Sequence, residues 1–203
     1  MYSTKPGLIL GFHGCDQTVV DRVLSGEDVL NKSENSYDWL GHGIYFWEGS
    51  PMRALEFAKT LQAESKRARK PIQKPAVLGA VLDLGFCLDL LQYENLQLLE
   101  IGYQILLTTN DLPQLPRNKS VGSSKELVLR NLDCAVIETV HQVNLSTKMP
   151  PFDSVKGVFW EGEELYPGAG FREKNHIQIC IRNPNCIKGF FLPRKLDDHY
   201  PKV

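Results

Sequence analysis

The sequence predicts an α+β fold with a mostly antiparallel sheet, built as one domain over residues 1–203. Three observations predict it. Runs rich in β-branched and aromatic residues recur along the whole chain, whereas segments with helical spacing concentrate in its first two thirds. The clearest strand signal, strict alternation over His176–Ile181, comes near the end. The length suits one compact core, and no repeat or low-complexity tract divides it.

The first strand is Leu8–Phe12 (LILGF), an apolar run that stops at His13-Gly14. Asp16 and Thr18 are N-capping residues for a short helix carrying Val19, Val20, Val23 and Leu24, which Gly26 ends. Asn31–Asp38 (NKSENSYD) has loop composition. Ile44–Trp47 (IYFW), bracketed by Gly43 and Gly49, is the second strand. Ser50-Pro51 supplies an N-cap with proline at the first helical position. The helix it opens carries Ala54, Leu55, Ala58 and Leu61 on one stripe and ends in the basic tail Lys66–Lys70.

Pro75–Leu84 reads as a central strand, Leu96–Leu107 as a helix and Asp111–Ser124 as a loop. Glu126–Asn131 is expected to be helical and Asp133–Thr139 (DCAVIET) a strand. After the Pro150-Pro151 break, Val155–Trp160 is a further strand. Arg182–Asn185 has turn chemistry, so His176–Ile181 and Cys186–Leu192 are expected to pair as a hairpin.

Lys+Arg 23 against Asp+Glu 24 leaves a net charge of −1, so no global field directs the chain to nucleic acid or to a membrane. No apolar run approaches the ~20 residues of a bilayer span, and the N-terminus lacks a secretory cleavage pattern. Five scattered cysteines without a C-x-x-C pair suggest neither a zinc site nor a disulfide framework, and a reducing cytoplasm is the expected compartment.

Three local features carry chemistry. A strand ends in Phe12-His13-Gly14; a glycine-bracketed strand reads Gly41-His42-Gly43-Ile44-Tyr45-Phe46-Trp47; and the late strand puts His176, Gln178 and Cys180 on one face. Each alone is ordinary: a loop histidine, a core tyrosine, a polar strand face. Together and in this order they resemble the ADP-ribosyltransferase family, in the branch of the poly(ADP-ribose) polymerases and diphtheria-like toxins. The likeness covers roughly Leu8–Ala58 and Asn175–Phe191.

The resemblance implies a split antiparallel core with flanking helices, and NAD as co-substrate without a metal. The histidine matching His13 would donate to the adenine-side ribose, and the backbone of the glycine matching Gly14 would pair with the nicotinamide carboxamide. The ring matching Tyr45 would stack on the nicotinamide, a cationic face contact of about 0.5–2 kcal/mol. Gly43, with Gly41, would let the chain turn tightly beside the ligand. Where the polymerases carry a small hydroxyl residue near the helix start, this chain has Met52-Arg53-Ala54, and Arg53 either pairs with the pyrophosphate or is a solvated first-turn arginine.

One departure limits the likeness. The family's late-strand glutamate is missing: alignment without a gap puts His176 there, a two-residue shift puts Gln178 there, and Glu173 lies just before the strand. Gln178 is the favoured ribose contact, with His176 second. Polymer formation goes with the glutamate in this family, so single-unit transfer to a macromolecular acceptor, a non-catalytic NAD or ADP-ribose module, or an NAD-dependent RNA 2′-phosphotransferase are the expected functions, in that order. Lys66–Lys70 is either a solvated helix end or a landing patch for a nucleic-acid acceptor. A neutralising partner protein, common among toxin-like members, is a further expectation.

Overall fold

The computed structural model describes residues 7–64, 71–109, 115–121, 126–195 and 197–201. Among them run seven strands and four α-helices, in the order β1 (Ile9–Asp16), α1 (Gln17–Leu24), β2 (Ile44–Glu48), α2 (Pro51–Ala63), β3 (Pro75–Leu82), β4 (Cys87–Asp89), α3 (Tyr93–Thr108), α4 (Asn131–Ser146), β5 (Ser154–Phe159), β6 (His176–Ile181) and β7 (Ile187–Phe191). The class is α+β. The strands form one sheet in the order β4-β5-β6-β2-β1-β3-β7, antiparallel throughout except for the β4/β5 pair.

Local chemistry sets the helix starts. The Asp16 carboxylate accepts from Thr18 N and caps α1, while its other oxygen takes the amides of Gln73 and Lys74. These bonds, the one to Lys74 foremost, hold the Asp16 carboxyl down at about 2. Ser50 caps α2 with Pro51 at its first turn, as the sequence predicts.

Side chains leave the sheet on two faces. On the first, α1 covers Cys15, Ile44, Phe46, Leu78, Ala80, Leu82, Ile179 and Ile181, a core with almost no solvent contact. On the second, α2 lies over the β1/β2 end through Ala54, Phe12 and Trp47. There too α3 and α4 cover Leu88, Val155 and Cys180 with Leu98, Leu99, Ile137 and Val140. Burying one leucine-sized side chain is worth about 1.5–3 kcal/mol, so the two layers fix the strand register firmly.

Two sequence expectations fail. Asp133–Thr139 is not a strand but the middle of α4, and Glu126–Asn131 is not a helix but the approach to it. A short β-branched run is ambiguous by itself. The buried set Cys134, Val136, Ile137, Val140 and His141 has the three- and four-residue spacing of one helix face.

The expected hairpin also fails. β6 already has β5 on one edge and β2 on the other, so no edge is left for β7. Asp153 holds the turn instead: its carbonyl accepts from Arg182 N and Asn183 N, and its carboxylate takes the Asn183 amide at 2.7 Å. The chain passes through a 3-10 turn at Pro184–Cys186 and pairs β7 with the free edge of β3.

Candidate functional site

β1 and β2 share only two rungs, Gly11–Glu48 and Phe12–Trp47. Beyond them β1 continues along β3 and β2 along β6, so the two strands fork at His13-Gly14. The fork is propped by one side chain: His13 Nδ1 lies 2.8 Å from the carbonyl oxygen of Tyr45. A carbonyl only accepts, so Nδ1 carries the proton. Burial pulls the His13 pKa below its ordinary value against the raising effect of this bond, which leaves the ring neutral with a lone pair on Nε2. With Nδ1 committed to that carbonyl, the neutral ring has only Nε2 left, an acceptor, whereas the resemblance implies a donor at this position.

Gly14 and Tyr45 flank the fork on the opposite sheet face from His13. The His13 imidazole lies edge-on to Phe46 of the α1-side core, at 5.9 Å between ring centroids, whereas Tyr45 packs against the α3/α4-side core. A Cβ on Gly14 would collide with the Ala54 carbonyl of α2. This is the close approach for which the position needs glycine. The Tyr45 hydroxyl donates to Gly41 O at 2.6 Å and accepts from Leu40 N at 2.8 Å, and burial pushes its pKa well above the ordinary phenol range.

The turn before β2 is clamped from α4. The Glu138 carboxylate accepts from His42 N at 2.8 Å and from both terminal nitrogens of Arg182, at 2.6 and 3.2 Å, and Arg182 also donates to His42 O. Gly41 sits at φ +74°, pressed against Glu138 and Ile137, and Gly43 is packed on Cys180 and Ile181 of β6. Burial works against the Glu138 charge, but Arg182 outweighs it and keeps the carboxyl below its usual range. Neither Glu138 nor Arg182 stands out in the sequence.

The start of β6 forms a second cluster. Arg53 is 13% exposed and donates to Glu56 at 2.6 Å and to Glu161 at 2.9 Å, so it is neither solvated nor free for a pyrophosphate while these pairs hold. The same Glu161 oxygen lies 3.7 Å from His176 Nδ1, which donates to Lys174 O at 2.6 Å. His176 is enclosed by the rings of Trp39, Trp47 and Phe159, and desolvation lowers its pKa to about 4. Gln178 is buried on the Tyr45 face, in register with Trp47 and Gly157. Glu173 stays exposed in the connection beside Gly162. The acid that reaches His176 and Arg53 is thus Glu161, whose distance from α2 along the chain hides the pairing.

The fork and this cluster are brought together by β2, which carries Tyr45 towards one and Trp47 towards the other. The basic run Lys66–Lys70 lies outside the described residues. Among the described residues no group of three or more His, Cys, Asp or Glu is arranged to hold a metal ion, and no helix is long and apolar enough to cross a membrane. Burial pushes the thiols of Cys15, Cys134 and Cys186 up to about 12, 11 and 11, and Cys180 also upward, so none of these is a ready thiolate.

The chain is similar to the uncharacterized protein MJ0359 of Methanocaldococcus jannaschii, 24% identical over an alignment of 196 positions, which spans 87% of this chain and 83% of the relative. No family model matches the chain, and no solved structure matches it.

Proposed function

We propose that the protein has the split core of an ADP-ribosyltransferase and transfers a single ADP-ribose unit from NAD to a macromolecular acceptor, releasing nicotinamide. The observation that carries this reading is the fork at His13-Gly14, held open by the His13–Tyr45 carbonyl bond. It lies where the resemblance puts the dinucleotide, with Gly14 and Tyr45 on one face for the nicotinamide and the His13 Nε2 lone pair on the other for a ribose hydroxyl. Cleavage of the N-glycosidic bond builds positive charge on the ribose, as in glycoside hydrolysis. Gln178 offers that cation an acceptor but no charge, which suits single-unit transfer. The acceptor is a protein or a nucleic acid, and the cytoplasm is the proposed compartment.

A second reading, a binding module that leaves NAD intact, is favoured by one feature: β6 carries no carboxylate facing the fork, and Glu161 is engaged with Arg53. Thermal unfolding with NAD, together with chromatographic assay for nicotinamide, separates the two. Transfer predicts a higher Tm, by the equivalent of about 2.7 kcal/mol at a hundredfold excess over Kd, and nicotinamide accumulating with time. His13→Ala is expected to lose the shift. Stabilisation with NAD recovered intact selects the module; no stabilisation at millimolar NAD rejects both.

A further inference from the structure

Glycosyl transfer from NAD needs a base, because the attacking hydroxyl or water must lose a proton as its oxygen bonds to the ribose. The β6 residues in the glutamate's place are poor candidates. Gln178 has no basic group, and the buried His176 has its Nδ1 committed to Lys174 O. We propose that His42 is the general base of this protein, oriented by Glu138 and Arg182; the inference rests on the transferase reading above.

His42 combines two properties that the other histidines near the fork do not share. Its side chain is 37% exposed, so a nucleophile reaches it from solvent, while Nδ1 lies 3.7 Å from Glu138 Oε2, a carboxylate only 20% exposed. That carboxylate is held ionised by Arg182. A partly exposed imidazole with a more enclosed carboxylate behind Nδ1 directs its proton to that side and leaves Nε2 as the acceptor, and the imidazolium formed on proton uptake meets a compensating charge.

The main chain of the same residue is fixed at both ends, His42 N on Glu138 and His42 O on Arg182, so the ring swings from a clamped turn. His42 is three residues before Tyr45, at most about 10 Å of extended chain, which places it at the open end of the fork. The charged and titratable groups facing it are Glu138 and His141 from α4, Arg182 from the end of β6, and Asp38 from its own loop.

In the step, the nucleophile's oxygen attacks the ribose carbon and the carbon–nitrogen bond to nicotinamide breaks. Nicotinamide leaves neutral with the bonding pair, and the nucleophile's proton passes to His42 Nε2 and thence to solvent. No oxidant or reductant is required.

Water serves as the nucleophile in the test. NAD hydrolysis is followed as nicotinamide release against pH for wild type and His42→Gln, alongside thermal stabilisation by NAD. Because Glu138 and Arg182 hold the backbone of residue 42, the variant is expected to keep the NAD-induced Tm shift. Its hydrolysis should fall by about 10²–10⁴-fold at every pH tested. An unchanged rate and profile in His42→Gln overturns the base and leaves the transferase reading standing. NAD binding without nicotinamide release in wild type overturns both in favour of the binding module, and no Tm shift in wild type overturns both outright. If His42→Gln loses its Tm shift along with its rate, His42 holds NAD instead of taking a proton, and the base is overturned.

Discussion

At the fork, His13 and Tyr45 each rest on main chain: the imidazole on the Tyr45 carbonyl, the phenol between Gly41 O and Leu40 N. Some residues away, on the Tyr45 face of the sheet around the start of β6, buried polar atoms lack such partners. Trp47 Nε1, Arg53 Nε, Asn175 Oδ1 and His176 Nε2 are all buried without a hydrogen-bond partner among the described residues. An orphaned buried polar group costs about 1–3 kcal/mol. The fork is therefore a frame held in one geometry by local backbone bonds. The β6 cluster is held instead by the packing of Trp39, Trp47 and Phe159 and by the Arg53–Glu161 pair.

The largest effect that would break this contrast is at Gly14. Gly14→Val drives its side chain into the Ala54 carbonyl, which cannot rotate away as a side chain would. The expected loss exceeds about 3 kcal/mol, the upper end of ordinary overpacking, measured by urea unfolding. A loss below 1 kcal/mol would mean that α2 sits loosely on the fork.

Acid should act next, and chiefly on the β6 cluster. His176 titrates at about 4 when folded against 6.5 ordinarily, because burial disfavours its charged form. Between those values the unfolded chain binds a proton that the folded chain refuses, so the stability is complete above 6.5 and is lost as pH falls towards 4. The share of His176 is up to about 3 kcal/mol. His141, also lowered to about 4 by burial, adds in the same direction, while Glu161, raised by burial, opposes both. His176→Phe removes the first contribution, so the variant's stability should fall less steeply than the wild type's as pH drops through this window. Parallel curves would show that the cluster already admits the proton.

The smallest effect sharpens the fork side. Tyr45→Phe leaves Gly41 O and Leu40 N without their phenol, at a cost of about 1–2 kcal/mol. The ring remains, so NAD-induced stabilisation should survive; calorimetry with and without NAD reads both quantities. Loss of the NAD response with the fold intact would assign the hydroxyl, not the ring, to the ligand.

Much of the first half was legible because its signals are local. Asp16 and Ser50-Pro51 cap their helices within a few residues, and the Ile44–Trp47 run needs no distant partner to favour a strand. Gly14, Gly41 and Gly43 suggest a ligand's close approach and a tight turn beside it, whereas in the fold each is crowded by a neighbouring protein element: α2, α4 and β6 respectively. The Asp133–Thr139 misreading and the missing hairpin have another cause. The first run is equally apolar as strand or helix until α3 supplies a surface for one face, and the second fails only because both edges of β6 are occupied.

The charged network was the least legible part. Arg53 meets Glu161 across 108 positions, His42 meets Glu138 across 96 and Arg182 meets Glu138 across 44. No spacing rule reaches that far, because a side-chain ion pair leaves no periodic trace in the chain.

The amino-acid order by itself determined the caps, most of the strands, the absence of a net field and the His13-Gly14/Tyr45 pattern, since each depends on neighbours within a turn or two. The tertiary structure alone decided that β1 and β2 part after two rungs, that Glu161 and not Glu173 reaches His176, and that the half-buried His42 stands before the Glu138 carboxylate. Those outcomes follow from which edges and faces are already filled when distant segments meet, a competition for space and for hydrogen-bond partners that only the folded chain resolves.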